Sequence, residues 1–195
     1  MTESSILARG AWFFLASFGF FVVAAPVVAR SPGLKPAGLS SDRGVTDDTG
    51  VKDSRQRPQS TEERQVAAAI EALFAAAERN DIAALDSLYA GNDLTVIEST
   101  GINRGWADYR DHHLAPEMKE MKGFRYRPFE IEPHVAGTTA WAIFRYNLKA
   151  ETGGRVLDLI GRGTAILEKK GGRWVVRHTH TASRARRPTD PPANF

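Results

Sequence analysis

The sequence predicts an α+β domain in which three helices precede a curved antiparallel sheet and cover one of its faces. Three observations carry that prediction. Between about residues 60 and 121, apolar side chains recur at helical spacing. From Gly123 onward the pattern changes to long runs rich in β-branched and aromatic residues. Ala136-Gly137, Gly153-Gly154 and Gly171-Gly172 divide those runs as tight hairpin turns.

The chain of 195 residues holds one domain of ordinary size with extensions. Arg9 precedes an apolar run from Ala11 to Ala29, and Val27-Val28-Ala29 places small residues before Arg30. Residues 1–29 are therefore expected to act as a signal peptide, or as an uncleaved membrane anchor, since the run approaches bilayer length. Either way the folded part is expected outside the cytoplasm, periplasmic or secreted. Residues 30–59 hold few large apolar side chains and cannot offset the entropy of ordering, so they read as a disordered linker.

The domain is expected over 60–183. Ser60-Thr61-Glu62-Glu63 fits a capping box, after which Val66, Ile70, Leu73, Phe74 and Ala77 mark one face of a first helix. Asn80-Asp81 restarts a second helix with Ile82, Leu85, Leu88 and Tyr89 as its apolar stripe, and Gly91 stops it. Leu94 to Glu98 reads as a short strand and Thr100 to Asn103 as a turn. A third helix from about Arg104 carries Trp106, Tyr109 and His113 on one face, and Pro116 is expected to interrupt it, leaving Glu117 to Met121 as a separate turn.

Four strands follow, over Phe124 to Val135, Thr138 to Ala150, Arg155 to Glu168 and Arg173 to Ala182. In the third of these, Leu157, Leu159, Ala165 and Leu167 and the opposite row Val156, Ile160 and Ile166 are both apolar. A second buried face predicts a homodimer through the sheet. Residues 184–195, with three prolines and several arginines, read as a disordered basic tail.

Composition narrows the function. There is no cysteine, hence no disulfide, thiolate nucleophile or Cys-ligated zinc. The net charge of +3 is concentrated at Arg184, Arg186 and Arg187 rather than in a basic stripe, so no nucleic-acid partner is expected.

The last strand is the most informative segment. Counting every second residue from Trp174 and Val176 reaches His178 and His180, which predicts that both imidazoles point inward with them. His178 and His180 are thus the first acid/base candidates, with His113 joining from the third helix. Asp108, Asp111, Asp158 and Glu98 are the carboxylates that could orient an imidazole or take a proton, and Glu98 has the most apolar neighbours. Tyr109 supports the same group. Trp106, Trp141, Phe144 and Tyr146 are candidate aromatic lining, and Arg145 and Arg162 would select an anionic ligand if they face inward. A buried strand histidine is equally readable as a hydrogen-bonded core residue. His178, His180, His113 and Glu117 could alternatively ligate zinc or copper, but their spacing matches no metal signature, so no metal site is assigned. His112 should face solvent.

The order of elements, the helix Trp106-Ala107-Asp108-Tyr109-Arg110-Asp111-His112-His113-Leu114-Ala115-Pro116-Glu117 and the ending Gly171 to Ser183 together resemble the SnoaL-like branch of the nuclear transport factor 2-like superfamily. The resemblance spans about Glu62 to Ser183. It implies a cone-shaped, cystatin-like barrel enclosing a pocket, commonly in a dimer. The superfamily includes ketosteroid isomerases, polyketide cyclases, dehydratases, epoxide hydrolases and members that only bind or assemble. The expectation is an exported domain that binds a small organic ligand and, if catalytic, works without a cofactor. A non-catalytic dimeric assembly module is the alternative, and a metal-binding envelope protein a further one.

Overall fold

The structure is a computed structural model and describes residues 58–98 and 101–195. The expected export segment and nearly all of the expected linker lie outside the described residues.

The first helix, α1 (Thr61–Glu78), begins with the expected capping box: the Glu63 amide donates to Ser60 Oγ at 3.2 Å and the Ser60 amide donates to Glu63 Oε2 at 2.7 Å. Val66, Ile70, Leu73, Phe74 and Ala77 are buried, as their spacing requires. Asn80 turns the chain with φ of 56°, and Asp81 caps α2 (Ile82–Leu88) by accepting from the Ala84 amide. A single 3-10 turn at Gly91–Asp93 leads into β1 (Thr95–Glu98).

The expected turn after β1 is itself part of a hairpin. A short strand, β2 (Gly101–Arg104), pairs antiparallel with β1. The third helical segment also differs from expectation. Pro116 does not separate two helices; α3 (Trp106–Tyr109) passes through a π-helical turn (Arg110–Leu114) directly into α4 (Ala115–Glu120). The Ala115 amide donates to the Arg110 carbonyl five residues back. Proline has no N–H and its ring crowds the carbonyl four residues earlier, so a widened turn just ahead of Pro116 lets the helix continue.

Strands β3 (Lys122–Ala136), β4 (Thr139–Thr152), β5 (Arg155–Lys170) and β6 (Arg173–Ala185) follow as hairpins. The sheet order is β2-β1-β6-β5-β4-β3, antiparallel except for the parallel β1–β6 pair. Pro128 and Pro133 lie in β3 at one edge, where a strand tolerates residues that cannot donate to a ladder. The inner face of the sheet packs against α1 and α2, bringing Phe144, Leu167 and Val176 together with Ile70, Leu85 and Val96. Each such side chain contributes on the order of 1.5–3 kcal/mol by leaving water.

Two inner-face glycines make room for aromatic rings. A Cβ on Gly161 would lie 2.1 Å from the Tyr146 ring, and one on Gly163 would lie 2.7 Å from the Phe144 ring. The cross-strand pairs Tyr146–Gly161 and Phe144–Gly163 therefore lay each ring flat over the neighbouring strand.

The register of β6 changes partway along. Leu167 pairs with Val176, but Ile166 pairs with His178, so Arg177 is an extra residue in β6. This bulge reverses the alternation: Trp174 and Val176 point inward before it, and Thr179 and Thr181 point inward after it. The side chain of Arg177 turns to Glu168 at 2.6 Å and Asp93 at 3.6 Å.

The C-terminal residues are not the loose tail that the sequence predicts. Strand β6 runs on to Ala185, opposite Leu159. Arg186, whose side chain is largely buried, donates to Asp158 Oδ1 at 2.8 Å and to the buried Asn147 at 2.5 Å. Arg184 forms a two-fold pair with Asp190, which also accepts from the Arg187 amide. The arginines that read as solubilising charge are the anchors that hold this segment to the sheet.

Candidate functional site

A cavity of about 100 Å³ lies between the inner face of the sheet and the helices. Helix α1 contributes Leu73, Phe74 and Ala77, and the strands contribute Tyr126, Phe144, Tyr146, Thr179 and Thr181. The segment from the π-helical turn into α4 closes another side with His113, Leu114, Glu117 and Met118. Among the described residues no lysine or arginine lines it.

Its polar groups converge on His113. Nε2 of His113 lies 2.9 Å from Glu98 Oε2 and 3.3 Å from Glu117 Oε1. The Tyr109 hydroxyl donates to the other oxygen of Glu98 at 3.4 Å. Backbone geometry explains the meeting. The parallel pairing of Glu98 with Thr181 directs Glu98 to the inner face, and His113 and Glu117 are four apart on continuing helix. The Glu117 hydrogen bond, then that of Glu98, raise the pKa of His113 to about 10 against the opposing cost of burial. His113 is thus an imidazolium throughout the neutral range.

Four tyrosines surround this cluster. Burial is the main reason that the Tyr89, Tyr109 and Tyr126 hydroxyls are held well above the usual phenol range, with the negative charge of Glu98 adding to it in each case. Tyr146 is pushed up to about 12, chiefly by burial, with hydrogen bonds to Ser183 and Thr181 acting the other way. All four remain protonated donors at neutral pH. Their rings pair edge-on, Tyr126 with Tyr146 at 5.3 Å and Tyr89 with Tyr109 at 6.0 Å between centroids, and Tyr109 also lies 5.3 Å from the His113 ring.

Of the expected site residues, the structure brings His113, Glu98, Tyr109 and Tyr146 together at the cavity. Six others are elsewhere. His178 and His180 do not point inward; the Arg177 bulge rotates them to the outer face, beside Ile166 and Thr164. Trp106 is buried in the core, stacked on Tyr89 with centroids 4.8 Å apart and donating through its indole N–H to Asp86, so it holds α3 in place without reaching the cavity. Trp141 is on the outer face, 44% exposed and stacked on His134. Arg145 and Arg162 pair across β4 and β5 on that same outer face, where Arg145 reaches Glu130 at 3.1 Å. They cannot select an anion for the cavity.

The remaining carboxylates have structural roles. Asp108 accepts from the Arg104 amide, Asn103 and His112, which lower its pKa in that order and fix the start of α3. Asp111 pairs with Arg110, and Asp158 with Arg186. His112 is exposed, as expected. The alternative ligand set for zinc or copper is divided between the two faces of the sheet, and among the described residues no group of three or more histidines and carboxylates is placed to hold a metal ion.

Glu117, Tyr126 and Tyr89 were not among the expected acid/base or lining residues. A signal for two of them exists: Glu117 lies one helical turn beyond His113, and Phe124 and Tyr126 alternate on one face of β3.

A fold with this element order and an internal cavity defines a class. The profile of the SnoaL-like domain family matches residues 66–184, more than half of the chain, and the chain belongs to that family. Solved structures similar to it include a protein provisionally assigned as a ketosteroid isomerase from Shewanella frigidimarina. It is 24% identical with a TM-score of 0.55, over 60% of this chain and 94% of that one. A protein of the nuclear transport factor 2-like family from Streptomyces avermitilis, provisionally assigned as a dehydratase, is 20% identical with a TM-score of 0.56, covering 62% and 94%. An uncharacterised protein with a cystatin-like fold from Caulobacter vibrioides is 21% identical with a TM-score of 0.54, covering 62% and 88%. At these identities the likeness establishes the cystatin-like fold alone. No curated protein sequence matches the chain significantly.

Proposed function

We propose that the cavity binds a small, mainly apolar organic molecule and carries out cofactor-independent acid/base chemistry on it, of the isomerase, cyclase, dehydratase or hydrolase kind. The observation that carries this reading is the convergence of Glu98, His113 and Glu117 at one side of a mainly apolar cavity. An imidazole held between two carboxylates at the wall of a mainly apolar cavity is an arrangement that acid/base catalysis can use. Glu117 lines the cavity and meets His113 through Oε1 at 3.3 Å. It is the proton acceptor in this reading. His113 is the proton donor, poised by the two carboxylates, and Tyr109 keeps Glu98 in position.

The apolar residues on the outer face favour a second element of the proposal. Trp141, Ile143 and Ile166 are exposed side by side across β4 and β5, and a second copy of the chain would bury them in a homodimer. The apolar run at 11–29 keeps export, to the periplasm or beyond, as the proposed location.

The test is a thermal-shift screen of small neutral ketones, alcohols and epoxides against the full chain, followed by NMR analysis of any stabilising compound for conversion. The reading predicts compounds that stabilise the wild type, lose that effect in Glu117→Gln and are turned over more slowly by His113→Gln. Stabilisation that is indifferent to both substitutions would overturn it.

A further inference from the structure

The chemistry of the cavity wall also indicates what charge its ligand carries. Two carboxylates, Glu98 and Glu117, face one imidazole, and among the described residues no guanidinium or ammonium group lines the space. One positive charge cannot neutralise two negative ones, so the site retains a net negative charge. A carboxylate or phosphate ligand would meet repulsion in a poorly screened space with no cation to receive it. That is the opposite of the anion selection that inward-facing Arg145 and Arg162 would have provided.

The rest of the wall suits a cation. Phe74, Phe124, Phe144, Tyr126 and Tyr146 present aromatic rings to the cavity, and the π faces of such rings attract ammonium groups. The Glu117 carboxylate, which lines the cavity, offers acceptor oxygens to an N–H donor. The volume of about 100 Å³ is below the roughly 150 Å³ of an apolar cavity known to take benzene, so the enclosed part of a ligand is no larger than a single ring.

We propose that the ligand of this cavity is a compact organic cation, an ammonium group on an apolar body of about one ring, whose nitrogen pairs with Glu117 and lies against the aromatic wall. This rests on the reading of the cavity as a small-molecule site and narrows its ligand class. The two carboxylates differ accordingly: Glu98 is engaged by both His113 and Tyr109, whereas Glu117 meets His113 at the longer distance of 3.3 Å.

Three probes of nearly the same shape separate the possibilities: benzylammonium, benzyl alcohol and benzoate, titrated at neutral pH into the full chain by NMR. The expected result is benzylammonium binding at least tenfold more tightly than benzyl alcohol, with benzoate weakest. Glu117→Gln should bring the ratio of ammonium to alcohol affinity close to one, while Glu117→Asp, which keeps the charge, should retain a preference and so guards against a merely misfolded variant. Benzyl alcohol binding as well as or better than benzylammonium would overturn the cation proposal and leave the small-molecule site intact. Benzoate binding tightest would also overturn it. Binding by none of the three would overturn both readings together.

Discussion

The two faces of the same sheet differ in what they do with similar residue types. On the inner face a single histidine, His113, arrives from a helix and is held by Glu98 and Glu117 within a ring of tyrosines. On the outer face His178, His180 and His134 stand among Trp141, Ile143 and Ile166, with arginines paired to surface carboxylates. Chemistry of the acid/base kind needs a partly desolvated, charge-coupled group, and His113 at the inner face is one. The outer face supplies apolar area instead, which suits association. The lesson is that a histidine's potential is decided by which face its strand presents, and one inserted residue decides that.

This comparison can be broken at several points. The largest effect is expected at the inner face of β5. Gly161→Val would drive side-chain atoms into the Tyr146 ring, for which a Cβ alone already lies 2.1 Å away. The two strands would have to separate, and we expect a loss of about 3 kcal/mol or more, read as a lower denaturant midpoint. Thr164→Val, one residue from Gly163 but exposed on the outer face, should change stability by less than about 0.5 kcal/mol.

Removing His113 comes next. His113→Ala leaves Glu98 and Glu117 facing each other without their shared cation. Breaking a buried pair costs roughly 3–5 kcal/mol, and since both carboxylates are partly exposed the expected loss is about 2 kcal/mol at neutral pH, together with loss of turnover. The double variant His178→Ala/His180→Ala should instead lose less than about 1 kcal/mol and leave cavity binding unaltered, because both positions lie on the outer face. A double variant that abolished binding would transfer the site to the other side of the sheet.

The same histidine sets a pH dependence. Its pKa is raised from about 6.5 in the unfolded chain to about 10 in the folded one. Its contribution is therefore complete below about pH 6.5 and is lost as pH rises towards 10. The stability difference between wild type and His113→Gln, followed by denaturant titration, should shrink across that window. A difference that stayed constant would mean that His113 is neutral in the folded protein.

The smallest effect concerns association. Trp141→Glu places a charge in the exposed apolar patch, and it should convert a dimer to monomer in sedimentation while leaving cavity binding unaltered, with a monomer stability change of less than about 0.5 kcal/mol.

Much of the fold was legible because local signals agreed with one another. The capping box at Ser60, the spacing from Val66 to Ala77 and the three glycine turns of the sheet all mark elements that form as expected. The parts that were not legible have specific causes. Strict alternation from Trp174 carries His178 and His180 inward, but Arg177 is an extra residue that meets Glu168, nine residues back across the hairpin, and Asp93, far away in sequence. Pairing of that kind fixes register without leaving a local mark. Trp141 and Tyr146 are separated by an odd number of positions in one strand, so they could not both face the cavity; alternation around Phe144 favours Tyr146. Pro116 signals a helix end in most contexts, and here the π-helical turn relieves it and brings Glu117 onto the face of His113. The ordering of 184–195 depends on Arg186 finding Asp158 and Asn147, again a long-range partnership.

The central claim is that His113, held between Glu98 and Glu117 in the cavity, is the functional histidine of this domain. Its most direct test is an NMR pH titration of the imidazole side chains of the full chain, with the His113 resonances assigned from their loss in His113→Gln. The account predicts that the His113 imidazole stays protonated up to about pH 10 and that its titration moves to lower pH in Glu117→Gln. A His113 that titrates near 6.5, unmoved by that substitution, would contradict the account.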